Sequence, residues 1–404
     1  MKKIHKYPML ILLIMFCVNM GSWEKYILLA LMCVYLCSCR FVLKFSGNHS
    51  YVYLFLWGVF YFSMWLLEGN ALLTGITYYI LGPIIIGKCF EKIINENDVK
   101  DIEKSFNNLL ILVSFCFFIH GTVDTVYSII NNVFIYNSEL VYDFITGDKI
   151  NRTIVGMYLT PIVCIGMPIL FIGKNYVKKV TRMLVVICAI ISLLFSVYLG
   201  NRTLLVIAAF EVLFCYLYGL RTKTEKINFV LIPIIGILVV STLWYNNIAG
   251  IQNYFADSFL MSRIVNNQLG NSRLDIYKQV FTHISDYWFG WMSAGGTGAG
   301  ITLAYAHNLW IDCLIYAGMI PFIFLMLYTI SILKSTFRLF KTIELALTQT
   351  ITVCFVLGIM LNWCVEPVLY ADPYYFAVIC GCFLCIDKVY YTVKEEQISY
   401  DCTN

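Results

Sequence analysis

Twelve stretches of the 404-residue chain are mostly apolar for about the 20 residues that an α-helix needs to cross a bilayer. They fall near 7–22, 26–44, 51–67, 71–87, 108–130, 153–173, 183–200, 203–220, 228–246, 307–333, 346–363 and 374–391. In lipid, each backbone polar group must be satisfied within the segment or in a closed barrel, and stretches of this length satisfy it as helices. Little sequence is left for a soluble core: 60% of residues are hydrophobic and 13% are charged, against about 25% charged in an average soluble domain. The expected fold is an all-α polytopic membrane protein of about 12 transmembrane helices, with residues 1–404 forming one integral membrane domain.

The flanking cations orient the spans. Cytoplasmic loops carry the excess of Lys and Arg, and placing the N-terminus inside puts 21 of the 28 on the cytoplasmic side. The seven left outside are Lys25, Lys149, Arg152, Arg202, Arg263, Arg273 and Lys278. That bias supports an even number of spans with both termini cytoplasmic. Met1-Lys2-Lys3-Ile4-His5-Lys6 then opens a retained first helix rather than a cleaved signal. The charged stretch from Glu91 to Lys104 is expected as a surface helix.

Two extracytoplasmic loops are long. The loop at about 131–152 is polar, and that at 247–306, between spans nine and ten, is long enough to cover a membrane-embedded site. Within the second, Asn271-Ser272 precedes Arg273-Leu274-Asp275, a variant of the capping box, and predicts a helix from Arg273 to about Ile284. Trp288-Phe289-Gly290-Trp291 and the glycine-rich run Gly295 to Gly300 follow.

Composition also excludes partners. A net charge of +4, scattered along the chain, gives no basic face for nucleic acid. The 16 cysteines lie mostly in apolar runs, where a free thiol packs as a small hydrophobe. There is no DxD, HExxH or GxxxxGK[ST] pattern, so no metal and no nucleotide cofactor is expected.

The candidate chemistry rests on the few ionisable groups at the outer span ends. Arg152 opens span six within Asn151-Arg152-Thr153, and Arg202 opens span eight within Gly200-Asn201-Arg202-Thr203. Arg273 starts the loop helix. A guanidinium is always charged and binds phosphate through a planar fork, so these arginines suit a diphosphate whose lipid tail stays in the bilayer; snorkelling or isolated ion pairing is the alternative. His307, at the start of span ten, could act as a general base, or be a satisfied polar group. Asn308 and Asp312 are four residues apart, on one helix face. Asp312 and Glu211 lie inside spans, where a charge is costly and so marks function or a helix-holding ion pair. Glu68 and Glu366 read as solvated.

The order of these features resembles the O-antigen ligase and repeat-unit polymerase superfamily over about residues 150–345. The features are the Arg opening span eight, Asn271-Ser272-Arg273 at a loop helix, Trp288-Phe289-Gly290, and Ala306-His307-Asn308 at the next span. The resemblance implies a glycosyltransferase of the cytoplasmic membrane, acting on its extracytoplasmic face without metal or cofactor. Its donor would be an undecaprenyl-diphosphate-linked glycan and its acceptor a second glycan. Arg202 and Arg273 match the family's diphosphate-binding arginines, Arg152 is a looser match, and His307 matches the proposed base. The family further implies a flippase and a chain-length regulator as partners. Polymerase of surface polysaccharide (O-antigen, capsule or exopolysaccharide) is the first reading and ligase to lipid A core the second. A lipid-linked oligosaccharide flippase is the alternative of another class.

Overall fold

A computed structural model describes residues 6–18, 24–38, 49–67, 69–95, 102–131, 140–173, 177–219, 242, 245–246, 273–290, 306–342 and 346–401. The ninth expected span, most of the 247–306 loop and the glycine-rich run lie outside the described residues.

The described chain is a helical membrane protein. Seven helices are long and apolar enough to cross a bilayer: His49–Leu67, Leu72–Ile94, Ile102–Ile130, Arg152–Ile172, Lys179–Leu199, Met319–Lys341 and Pro373–Tyr391. Tyr7–Val18 and Leu347–Trp363 are apolar but shorter. In chain order the helices are α1 (Lys6–Val18), α2 (Glu24–Ser38), α3 (His49–Leu67), α4 (Leu72–Gly75), α5 (Gly82–Asn95) and α6 (Ile102–Ile130). There follow α7 (Arg152–Ile172), α8 (Lys179–Leu199), α9 (Arg202–Phe214), α10 (Arg273–Thr282), α11 (Leu309–Ala317), α12 (Met319–Thr342), α13 (Ala346–Trp363), α14 (Val368–Ala371) and α15 (Pro373–Asp401). A wider π turn, Ile76–Leu81, joins α4 to α5. Between α6 and α7, the expected polar loop carries an antiparallel hairpin of β1 (Leu140–Tyr142) and β2 (Lys149–Asn151), with Val141 opposite Ile150.

Two compact units divide the chain. The first comprises Met1–Cys116, Ser272–Ile343 and Trp363–Asn404; the second comprises Phe117–Asn271 and Glu344–Asn362. In the first unit α15 packs against α5 and α12, and α12 against α3. Trp57 of α3 is fully buried there among Tyr61, Tyr79 and Phe376 and donates to the Cys313 thiol. In the second unit α7 is the hub, contacting α8 and α9, and is buried along most of its length despite Pro161 and Pro168.

Two sequence expectations are corrected. Span ten is not one helix from His307: it breaks at Gly318, whose φ of +92° ends α11 before α12 starts. The break is fixed by backbone contact, because a Cβ at Gly318 would lie 2.4 Å from the Trp288 carbonyl oxygen. Nor does the charged stretch begin as a surface helix. Lys88, Glu91 and Lys92 are buried in α5, where Glu91 accepts from Lys88 Nζ and from the Tyr51 hydroxyl, each at 2.8 Å. The pair spares both charges the cost of unaccompanied burial. Among the described residues most cysteines are buried, and Cys382 and Cys385, three apart in α15, are buried free thiols, whereas Cys37 is exposed.

Candidate functional site

Ala306-His307-Asn308 make a turn in front of α11. His307 has φ +56°, and it is the one non-glycine residue with positive φ among the described residues. That left-handed conformation costs about 1–3 kcal/mol and persists only where the surroundings over-determine it. Asp312 supplies the determination. Its buried carboxylate accepts the amide of Ala306 on Oδ1 and the amide of Asn308 on Oδ2 (3.1 Å), so one side chain ties down both neighbours of His307. Hydrogen bonds to a charged group are worth about 1.5–3 kcal/mol each, enough for two of them to offset the strain.

Asn308 is the N-cap of α11 rather than a residue on its face: its φ is −151°, and its Oδ1 accepts from the amides of Trp310 (3.2 Å) and Ile311 (3.1 Å). The cap leaves its Nδ2 to donate to the carbonyl of Cys364 at 3.1 Å. The Tyr277 hydroxyl donates to that same oxygen at 3.3 Å. Tyr277 lies one turn after Arg273 on the loop helix, which spans Arg273–Thr282 much as the sequence predicts. Under these polar contacts Ile276 and Val280 of α10 pack with Tyr287, Ala306, Ile311, Leu314 and Ile315. Full burial of such an aliphatic side chain stabilises by about 1.5–3 kcal/mol, so α10 is a docked element. The Arg273 side chain, Asn271 and Ser272 lie outside the described residues.

The segment after α13 contributes more than its carbonyl. Glu366, expected to be solvated, is buried. Two residues before it, the Cys364 carbonyl accepts from Asn308 and Tyr277. Glu68 lies outside the described residues.

In the second unit Asn151 and Asn201 cap α7 and α9, accepting from Thr153 N (3.0 Å) and Leu204 N (3.3 Å). Arg152 and Arg202 are thus each the first residue of a helix, where the macrodipole favours anions. The two starts are neighbours: a Cβ at Gly156, one turn into α7, would lie 1.7 Å from Asn201 Nδ2. Arg152 is buried and Arg202 half-buried. Glu211 lies nine residues beyond Arg202, about 13 Å along α9, and is fully buried close to Cys164 and Gly358. Arg152 and Arg202 therefore come together in one unit, and His307, Asn308, Asp312 and the start of α10 come together in the other.

A further constellation has no counterpart among the sequence candidates. His120 Nε2 lies 3.2 Å from Asp124 Oδ2 and 3.7 Å from Asp143 Oδ2, with all three residues buried. Asp143 sits in the hairpin turn. Burial raises its carboxyl pKa, but the His120 imidazole and the amides of Thr146 and Ile145 outweigh burial and bring it down to about 2. The His-x-x-x-Asp spacing on α6 was legible; the arrival of Asp143 depends on the hairpin.

No family model matches the chain, and neither does any curated protein.

Proposed function

We propose that the chain is a glycosyltransferase of the cytoplasmic membrane that polymerises undecaprenyl-diphosphate-linked repeat units into a surface polysaccharide on the extracytoplasmic face. The observation that carries this reading is the construction around His307. His307 is strained and its two neighbours are clamped by Asp312, and one of them, Asn308, shares the Cys364 carbonyl with Tyr277 of the helix that Arg273 begins.

In this reading His307 takes the proton from the acceptor hydroxyl, a contribution of about 10²–10⁴-fold for a positioned base. The alkoxide oxygen attacks the anomeric carbon, a new C–O bond forms with inversion, and the bond to the lipid diphosphate breaks. The electron pair leaves on a diphosphate oxygen. Arg273, which begins a helix in the same unit as His307, is assigned the charge that develops there, because a cation at the leaving group stabilises it; Arg202 and Arg152 are candidate diphosphate ligands on the resemblance alone. Asn308 and Asp312 position the base. Glu211, about two and a half helical turns from Arg202, is left a helix-packing role in α9.

Single replacements of His307, Arg273 and Arg202 by Ala in the native host, with protein levels matched, test it. Loss of polymer with single repeat units retained is the expected result. Full-length glycan that fails to reach lipid A core would instead indicate a ligase, and normal glycan in all three variants would remove the enzymatic reading.

A further inference from the structure

The side chains of His120, Asp124 and Asp143 meet at one point from two directions. His120 and Asp124 project from successive turns of α6, and Asp143 reaches them from the hairpin turn. One oxygen of each carboxylate is already committed. Asp124 Oδ1 accepts from Phe144 N at 3.0 Å, and Asp143 Oδ1 accepts from the amides of Ile145 and Thr146, both at 2.8 Å. These bonds fix the carboxylate planes and turn each Oδ2 toward the imidazole. The His120 ring is held edge-on to Tyr158 of α7, with centroids 4.7 Å apart.

Three basic atoms thereby converge within 4.8 Å of one another. Asp124 is completely buried, and its Oδ2, aimed into the group, accepts no hydrogen bond among the described residues. One proton on Nε2 can point at only one oxygen, and at 3.7 Å the contact with Asp143 is too long for a hydrogen bond. A cation at the centre satisfies all three at once. Ligands about 2.0–2.2 Å from a tetrahedral zinc ion stand about 3.3–3.6 Å apart; the 3.2 and 3.7 Å separations from Nε2 lie within tenths of an ångström of that range, and the two carboxylate oxygens lie within 4.8 Å of each other.

We propose that His120, Asp124 and Asp143 bind one divalent transition-metal ion of the zinc class, with a fourth position open to water, and that the ion staples the hairpin Leu140–Asn151 to α6. Imidazole with carboxylates suits such a borderline ion, and the amides on Oδ1 supply the outer shell that ligating carboxylates require. The role is structural: β2 ends at Asn151, the cap of the helix that Arg152 begins, so the ion sets the entry of the chain into α7.

The test uses the detergent-purified full chain, stripped with chelator and titrated with Zn²⁺. One tight site per chain is expected, with an X-ray absorption shell of nitrogen and oxygen ligands. Binding should weaken about 100-fold or more in Asp124→Asn and in Asp143→Asn. A sulfur shell, equal binding by wild type and both variants, or no uptake would overturn the proposal, the last leaving a proton shared by the three side chains. Variants are compared only if they keep the wild-type gel-filtration profile; if neither does, the absorption spectrum of the wild type decides. None of these readouts depends on glycosyl transfer.

Discussion

Tyr277 and Asn308 donate to the same acceptor, the carbonyl oxygen of Cys364, from 3.3 and 3.1 Å. A loop helix, a strained turn and the chain leaving α13 are thereby joined at one atom. The contact turns two sequence candidates separated by a long loop, Arg273 and His307, into neighbouring backbone elements of one unit.

His307→Gly should leave the fold intact, because glycine enters the left-handed region freely, while transfer activity falls about 10²–10⁴-fold. Free imidazole in the assay should restore part of it, and more than in His307→Ala, where the strain persists. Melting temperature and conversion of lipid-linked repeat units in membrane vesicles measure the two effects. A Gly variant with wild-type turnover would remove His307 from the chemistry.

Asp312→Asn replaces an acceptor with a side chain that can take only one of the two amides, its Nδ2 being left against the other donor. Turnover should fall about 10–100-fold with little change in KM, since a tilted imidazole loses transition-state contact rather than ground-state binding. A change confined to KM would show that Asp312 contacts substrate instead.

Gly290 and Gly318 test the docking of the external segment. A Cβ at Gly290 would lie 2.2 Å from Tyr316 O, and both residues have positive φ. Gly69 has a similar φ, +76°, yet nothing lies within 4 Å of its Cβ position. Gly69→Ala should cost only the conformational strain, about 1–3 kcal/mol, whereas Gly290→Ala and Gly318→Ala should lower the melting temperature of the purified protein markedly further. Equal losses at all three positions would mean that backbone contact contributes nothing.

Gly156→Ala should displace Asn201 and uncap α9, a loss of about 0.5–2 kcal/mol for the cap alone. Asn201→Ala should lose the cap and tolerate Gly156→Ala, so the double variant should be less destabilised than the sum of the singles. Additive losses in a double-mutant cycle would show that the two residues do not interact.

The apolar stretches determined the helical membrane class and the places of the long apolar helices, and the capping residues determined the start of the loop helix at Arg273. Those features are local: hydrophobic length, capping residues and charge act within a turn or two of where they are written. Tertiary structure decided the rest. The break at Gly318 depends on Trp288 and Gly290 arriving from another segment, the left-handed His307 depends on Asp312 reaching back to two amides, and Asp143 meets His120 only because a hairpin returns it to α6. Glu366 was misread for the same reason: burial near a span end is set by what packs over it, and a sequence window does not contain that neighbour.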